Sequence, residues 1–263
     1  MNGAGNWNLV FYLIDKLGVW GTPAAVAINA GGILLCMIIP YLLGSLNFGV
    51  MISRRRFHDD VRTHGSGNAG ATNMVRTYGW KAGLITMIGD MLKAVVAVGL
   101  GYLIVGVNGW YALEGGEPYH LVNQYGAAIA GLFVMLGHMF PIFFKFKGGK
   151  GVATSGIVIF MISPLAGAVC LLIFLIIVIG TRYVSLGSVM GLTFYPIILN
   201  AFSHAYDPPR NSTACILSVL MATLVVYMHR ENIKRILNRT ESKISFKKKS
   251  SKKATEEAEE PQA

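Results

Sequence analysis

The chain has 263 residues, 53% of them apolar and only 14% charged, with a net charge of +10 and a mean hydropathy of +0.52. A soluble domain carries about 25% charged residues, so the composition excludes an ordinary soluble globule. Apolar windows of about 20 residues recur along the chain and specify a polytopic membrane protein. The positive charge does not imply nucleic acid, because it clusters in four segments, Arg54 to Lys81, Lys145 to Lys150, Arg182, and Arg230 to Lys253, that alternate with an acidic one.

Residues 1–30 lack a basic start followed by a small-residue cleavage pattern, so no cleavable leader is expected, and they read as an N-terminal extension. The first span is expected at 31–53. After it comes the basic stretch Arg54 to Lys81, which contains RTHGSGNAGATNMVR. Gly65, Gly67 and Gly70 satisfy GxGxxG, but the dinucleotide fingerprint needs a preceding strand and a membrane helix stands there instead. What remains is a Gly/Ser/Asn loop flanked by Arg62 and Arg76, chemically suited to an anionic, polyhydroxylated ligand.

The second span, 82–107, carries Asp90 and Lys93 three residues apart. Such charges within a membrane pair with one another or face a polar interior; a structural ion pair and a catalytic role both fit. The segment 108–123 holds Glu114 and Glu117 and no Lys or Arg. A third span, 124–144, leads into KFKGGKGVAT from Lys145 to Thr154. Glycines allow close backbone approach, and successive N–H groups beside a lysine make a concavity for phosphate. A flexible turn explains the glycines but not three lysines. The loop is no Walker A motif, since Phe144 and Gly151 stand where Gly and Ser or Thr are required.

The apolar run from Val152 to Gly180 exceeds one crossing, and Ser163-Pro164 is its natural break. Spans are therefore expected at 152–163, which is short, and at 165–181, then at 186–202 and 213–229. Between and after them lie Thr181-Arg182-Tyr183-Val184-Ser185-Leu186-Gly187-Ser188 and His229-Arg230-Glu231-Asn232. His229 and Asn232 share a helix face. Seven crossings put the N-terminus outside. They leave every one of the 23 Lys and Arg on the cytoplasmic side except Lys16, Lys93 and Arg210, which is the positive-inside pattern. Five crossings, with the Val152–Gly180 pair re-entrant, is the fallback. Asn211-Ser212-Thr213 matches a glycosylation acceptor that arises often by chance. The tail from Lys247, basic then acidic, reads as disordered, with its lysines on anionic headgroups. Cys36, Cys170 and Cys215 have neither metal nor disulfide spacing.

Taken in order, GSLNFG at Gly44, HGSGNAGATNMVRTYG at His64, GDMLK at Gly89, GHMFPIFFKFKGGKGVAT at Gly137, TRYVSLGS at Thr181 and HRENIKRILNRTESK at His229 resemble the bacterial acyl-phosphate:glycerol-3-phosphate acyltransferase family (PlsY). The resemblance covers about residues 31–246 and departs from the family at Asn47, where proline is common. It implies an all-α, seven-helix inner-membrane enzyme: an outside extension 1–30, an acyltransferase domain 31–246 and a cytoplasmic tail 247–263. The implied reaction passes an acyl chain from acyl phosphate to the 1-hydroxyl of glycerol 3-phosphate, the first step of phospholipid synthesis. The products would be lysophosphatidate and phosphate. No cofactor, metal or obligate protein partner is implied beyond substrates and bilayer.

By the same resemblance Ser66, Arg76, Lys150, His229 and Asn232 are the catalytic set, with Asn68 helping to hold glycerol 3-phosphate. Gly65, Gly67, Thr72 and Asn73 join the substrate-binding set. Gly148, Gly149, Gly151, Ser185 and Ser188 would hold the acyl phosphate, and Lys150 would bridge both substrates. None of the six histidines begins the His-x4-Asp dyad of thioester-dependent acyltransferases. Two other classes compete: a transporter for a small organic phosphate, and a scaffold acting through its basic tail. The first is expected to bind near the midplane between repeated halves, and no repeat is visible; the second leaves the glycine-rich clusters unexplained.

Overall fold

The structure is a computed structural model that describes residues 8–105, 125–206 and 212–244. The acidic segment, the start of the sequon and the charged tail lie outside these residues. Every regular element described is helical. In chain order these are α1 (Leu9–Leu17), α2 (Pro23–Gly44), α3 (Phe48–Phe57), α4 (Ala71–Tyr78), α5 (Trp80–Ile104), α6 (Tyr125–Met139) and α7 (Val152–Ile162). There follow α8 (Pro164–Thr181), α9 (Val184–Thr193), α10 (Tyr195–Tyr206), α11 (Ser212–Met228) and α12 (Arg230–Leu237), with 3-10 turns at Val61–Thr63 and Ile142–Phe144.

Where the chain breaks, side chains hold the break. Asn47 caps α3 by accepting from the Val50 N–H at 3.1 Å. Lys93 Nζ donates to the Gly44 and Leu46 carbonyls at 2.9 Å each, so a cation satisfies acceptors left over at the C-terminus of α2. Ser163 ends α7 and caps α8, with Pro164 in the first position of α8, as the sequence break predicts. The first expected span begins earlier than residue 31, at Pro23, because nothing apolar or conformational stops α2 there. The polar segment read as a loop contains α4, a helix whose Met74 is buried with Val50, Val61 and Ala82.

The buried centre is α6, whose residues from Gly126 to Met139 are nearly all inaccessible, as expected of a helix apolar on all sides. Small residues let its neighbours in. A Cβ on Gly101 of α5 would meet the Gly126 carbonyl, and one on Gly126 would meet that of Gly101. In lipid this close packing, rather than expulsion of apolar surface from water, drives helix association. Leu34, Ile38, Leu92, Val96, Leu172, Ile176 and Ile179 are exposed and form an outward apolar surface. The protein is an integral, multi-pass membrane protein.

Among the described residues five helical stretches are long and apolar enough to cross a membrane, or six if α11 and α12, bent by 56°, form one span. The count of seven full crossings is not confirmed among the described residues. At 11 residues and 1.5 Å per residue, α7 is about half the length a crossing requires.

Candidate active site

The first wall of the site is the stretch from Asp60 to α4. Arg62, expected to face a ligand, is instead a strut. It pairs with Asp60 Oδ2 at 2.7 Å and donates to the Phe144 and Lys147 carbonyls at 3.0 Å, tying this wall to the lysine loop. Gly65 and Gly67 have φ of +55° and +67°, which glycine adopts without penalty. The Asn73 side chain staples the resulting turn. Its Oδ1 accepts from the Ser66 N–H at 3.0 Å. Its Nδ2 faces the carbonyls of Val61 and His64 at 3.0 Å and Asn68 at 2.9 Å. Asn73 is thus fully engaged with backbone. The Ser66 and Thr72 hydroxyls and the Arg76 guanidinium are exposed and have no side-chain partner among the described residues.

The second wall is the lysine loop, seated on the C-terminus of α6. Gly149 N–H donates to the His138 carbonyl at 3.1 Å and Gly148 N–H to that of Met139 at 3.2 Å. A Cβ at Gly148 would meet the His138 carbonyl, and one at Gly149 would meet His138 Nε2. Gly151 starts α7 with φ +78° and no side-chain cap, so the first N–H groups of that helix offer their positive end to an anion.

The third and fourth walls come from α9 and from the bend between α11 and α12. Lys150 Nζ donates to Asn232 Oδ1 in a short contact. Asn232 Nδ2 donates to Glu241 Oε1 at 2.6 Å, and Ser185 Oγ donates to the same oxygen at 2.8 Å. Arg235 Nε holds Oε2 at 2.7 Å. Ser188 Oγ donates to the Val184 carbonyl at 2.9 Å. His229 sits at the bend, 2% exposed, with Nδ1 at 2.8 Å from the Val225 carbonyl. A carbonyl cannot donate, so the proton is on Nδ1 and Nε2 is an acceptor.

These walls enclose a cavity of about 300 Å³. Burial, assisted by Arg235 and Arg76 and opposed by Glu241, pushes Lys150 down to about 8, so the lysine is a cation at neutral pH with an affinity for negative charge left unmet. His229 is buried with Nδ1 committed to the Val225 carbonyl, so it presents Nε2 as an acceptor. Burial would raise the Glu241 carboxyl, but hydrogen bonds from Asn232, Arg235 and Ser185 outweigh it and hold the group below its usual range. Of the groups acting on Lys150 the two arginines outnumber the one carboxylate, Glu241, and Asp90, the other carboxylate of the lining, is paired with Lys93; the chemistry favours a phosphate.

Eleven sequence-predicted residues line this single cavity: Ser66, Asn68, Thr72, Asn73, Arg76, Lys150, Gly151, Ser185, Ser188, His229 and Asn232. Gly65, Gly67, Gly148 and Gly149 do not line it; they shape the backbone behind it, for the steric and conformational reasons given above. Sequence reasoning missed His138 and Glu241 and left Asp90 undecided, yet all three line the cavity. Asp90 was signalled by its charge within a span, and Glu241 by its place six residues beyond the arginine that binds it. A second, largely apolar cavity of about 140 Å³ adjoins the first. It runs between α7, α8 and α9 past Phe160, Gly167, Cys170 and Gly191 and shares Val152, Phe174 and Ser188 with the polar cavity.

A family profile described as "Glycerol-3-phosphate acyltransferase" matches residues 34–239. Curated proteins of that name from Thermoanaerobacter sp. (strain X514) and Bacillus subtilis (strain 168) are 40% and 39% identical over 214 residues. Those residues are 81% of this chain and 96% and 98% of the relatives. A crystal structure of PlsY (YgiH), an integral membrane glycerol 3-phosphate acyltransferase, in its glycerol 3-phosphate form aligns with a TM-score of 0.67 at 34% identity. The alignment covers 81% of this chain and 96% of that one. The lysophosphatidic acid form of the same protein aligns with a TM-score of 0.65 at 33% identity, over 81% and 95%.

Proposed function

Because the chain belongs to the glycerol-3-phosphate acyltransferase family, we propose that this membrane acyltransferase draws its acyl chain from an acyl phosphate and passes it directly to the 1-hydroxyl of glycerol 3-phosphate. The observation that carries the reading is the pairing of the two cavities. A cationic, hydroxyl-lined chamber suits two phosphates, and the apolar groove beside it, continuous through Phe174 and Ser188, suits an alkyl chain.

In this reading Arg76, Ser66, Asn68 and Thr72 hold the glycerol 3-phosphate, with His229 Nε2 accepting from the 1-hydroxyl and Asn232 fixing Lys150. The N-terminus of α7 holds the acyl phosphate, and Ser185 and Ser188 reach it by turning their hydroxyls away from Glu241 and from the Val184 carbonyl. Lys150 lies between the two phosphates. The hydroxyl oxygen attacks the acyl carbon, and the bond from that carbon to the phosphate oxygen breaks. As the oxygen attacks, its proton swings from the hydrogen bond with His229 Nε2 to the departing phosphate, and lysophosphatidate and phosphate leave. A mixed anhydride already has a good leaving group, so no acyl-enzyme is needed. Positioning and stabilisation of oxyanion charge supply the acceleration. His229, its Nδ1 held on the Val225 carbonyl, orients the hydroxyl through Nε2.

The site opens on the cytoplasmic side of the inner membrane in this scheme, with the N-terminus outside, 31–246 as the enzyme domain and 247–263 as a lipid-facing tail. The donor is tested by giving purified protein glycerol 3-phosphate with either acyl phosphate or the matching acyl-CoA. Phosphate and lysophosphatidate are expected from the first and no product from the second. Turnover with acyl-CoA alone would reject the acyl phosphate reading.

A further inference from the structure

His138 is 3% exposed, lines the polar cavity, and takes no part in the scheme above. Its Nδ1 lies 2.9 Å from Lys93 Nζ and 3.4 Å from Asp90 Oδ1. Lys93 also pairs with Asp90 Oδ1 at 2.8 Å, an oxygen without a hydrogen-bond partner among the described residues. Two of the lysine's three hydrogens go to the carbonyls at the end of α2, which leaves the third for Nδ1. An ammonium has only hydrogens to present. A ring N–H at 2.9 Å would oppose it hydrogen to hydrogen, whereas a lone pair on Nδ1 accepts from it. The longer separation from Asp90 Oδ1 agrees with an Nδ1 that is not donating to the carboxylate.

The proton of the neutral ring is then on Nε2. No described residue bonds Nε2, and it lies where a Cβ of Gly149 would stand, directly beneath the loop that carries Lys150. We propose that His138 is a further ligand for a substrate phosphate, donating from Nε2, and that Asp90 and Lys93 are positioning residues that fix its tautomer. The proposal rests on the reading of the cavity as a phosphate site. It also accounts for a charged pair kept inside a membrane helix, where unpaired charge is costly.

The direct test is nitrogen-15 NMR on full-length protein in lipid nanodiscs with labelled histidine, the His138 signal being assigned with His138→Gln. The expected result is an Nε2–H tautomer whose proton signal moves downfield on saturation with glycerol 3-phosphate or with a non-reactive acyl phosphonate. The ligand that moves it identifies which phosphate is held. An Nδ1–H tautomer, or a signal unmoved by both ligands, overturns the proposal. Lys93→Gln should populate the second tautomer; an unchanged tautomer would remove Lys93 from the positioning role.

Kinetically, His138→Gln in protein that still elutes as a single species should raise KM for that same substrate roughly 10- to 100-fold, the effect of one hydrogen bond to a charged group, with kcat within a few-fold. A KM unchanged for both substrates would contradict the phosphate contact. Wild-type protein that bound phosphate at His138 but formed no lysophosphatidate would instead reject the acyltransferase reading and leave this contact standing.

Discussion

Two glycine-rich segments face each other across the cavity, and their glycines are there for different reasons. In the 62–76 wall the glycines turn the chain through positive φ, Asn73 fastens the turn, and the groups left over for a ligand are side chains. In the 145–151 wall Gly148 and Gly149 make room for His138 and the carbonyls of α6, and of these glycines Gly151 alone takes positive φ, to start α7. The group left over is a lysine together with a helix N-terminus. One wall presents side chains on a stapled backbone, and the other presents backbone on a packed helix end. Similar letters in a sequence therefore encode conformation in one place and steric room in another.

The largest expected effect separates the walls by charge. Lys150→Ala removes the buried cation, and losing such a contact costs about 2–5 kcal/mol, roughly 30- to several thousand-fold in turnover. Its melting temperature should hold, because the lysine is held against a desolvation cost. Turnover near that of the wild type would show that charge in this wall is dispensable.

Next in size is the contrast between Gly149→Ala and Gly67→Ala. The first drives a methyl into the His138 ring and should destabilise by about 1–3 kcal/mol as overpacking, with turnover falling alongside. The second meets only the Arg62 carbonyl at 3.5 Å and should cost about 1–2 kcal/mol from left-handed backbone. It should raise KM for glycerol 3-phosphate more than it affects the acyl donor. Thermal melts and paired KM values check both. Equal effects on the two substrates would erase the distinction between the walls.

Much of this site is legible in the sequence, for a physical reason. Membrane spans are read from apolar length, and polar clusters stand out between them; the family resemblance picks Ser66, Arg76, Lys150, His229 and Asn232 out of those clusters, and they share one cavity. The Ser163-Pro164 break is equally visible because proline acts locally. What escapes depends on contacts distant in sequence. That His138 of α6 stands over Lys93 of α5, and that Gly149 is glycine because of that ring, follows only from packing. The eight residues of α4 are also missed: one face of this polar helix carries Met74 into the core, but two turns beside a run of glycines are too short a pattern to read as a helix.

A smaller effect concerns pH. Phosphate binding needs protonated Lys150, whose proton is held at about 8. KM for a phosphorylated substrate should therefore rise, gradually, as pH is raised through that value. The sign for folding is opposite. The unfolded chain keeps this proton up to its ordinary value of 10.5, so between the two values the group adds stability with rising pH. Binding titrations and melts over the same window check the pair. An affinity independent of pH from 7 to 9 would place Lys150 away from the phosphates.

The central claim is that both phosphorylated substrates occupy one cavity and react there directly. Rapid-quench measurement of phosphate release from acyl phosphate, with and without glycerol 3-phosphate, tests it most simply. The account predicts no burst without the acceptor. With it, phosphate and lysophosphatidate should appear together, one for one. A burst of phosphate equal to the amount of protein in the absence of glycerol 3-phosphate would reveal an acyl-enzyme and contradict the account.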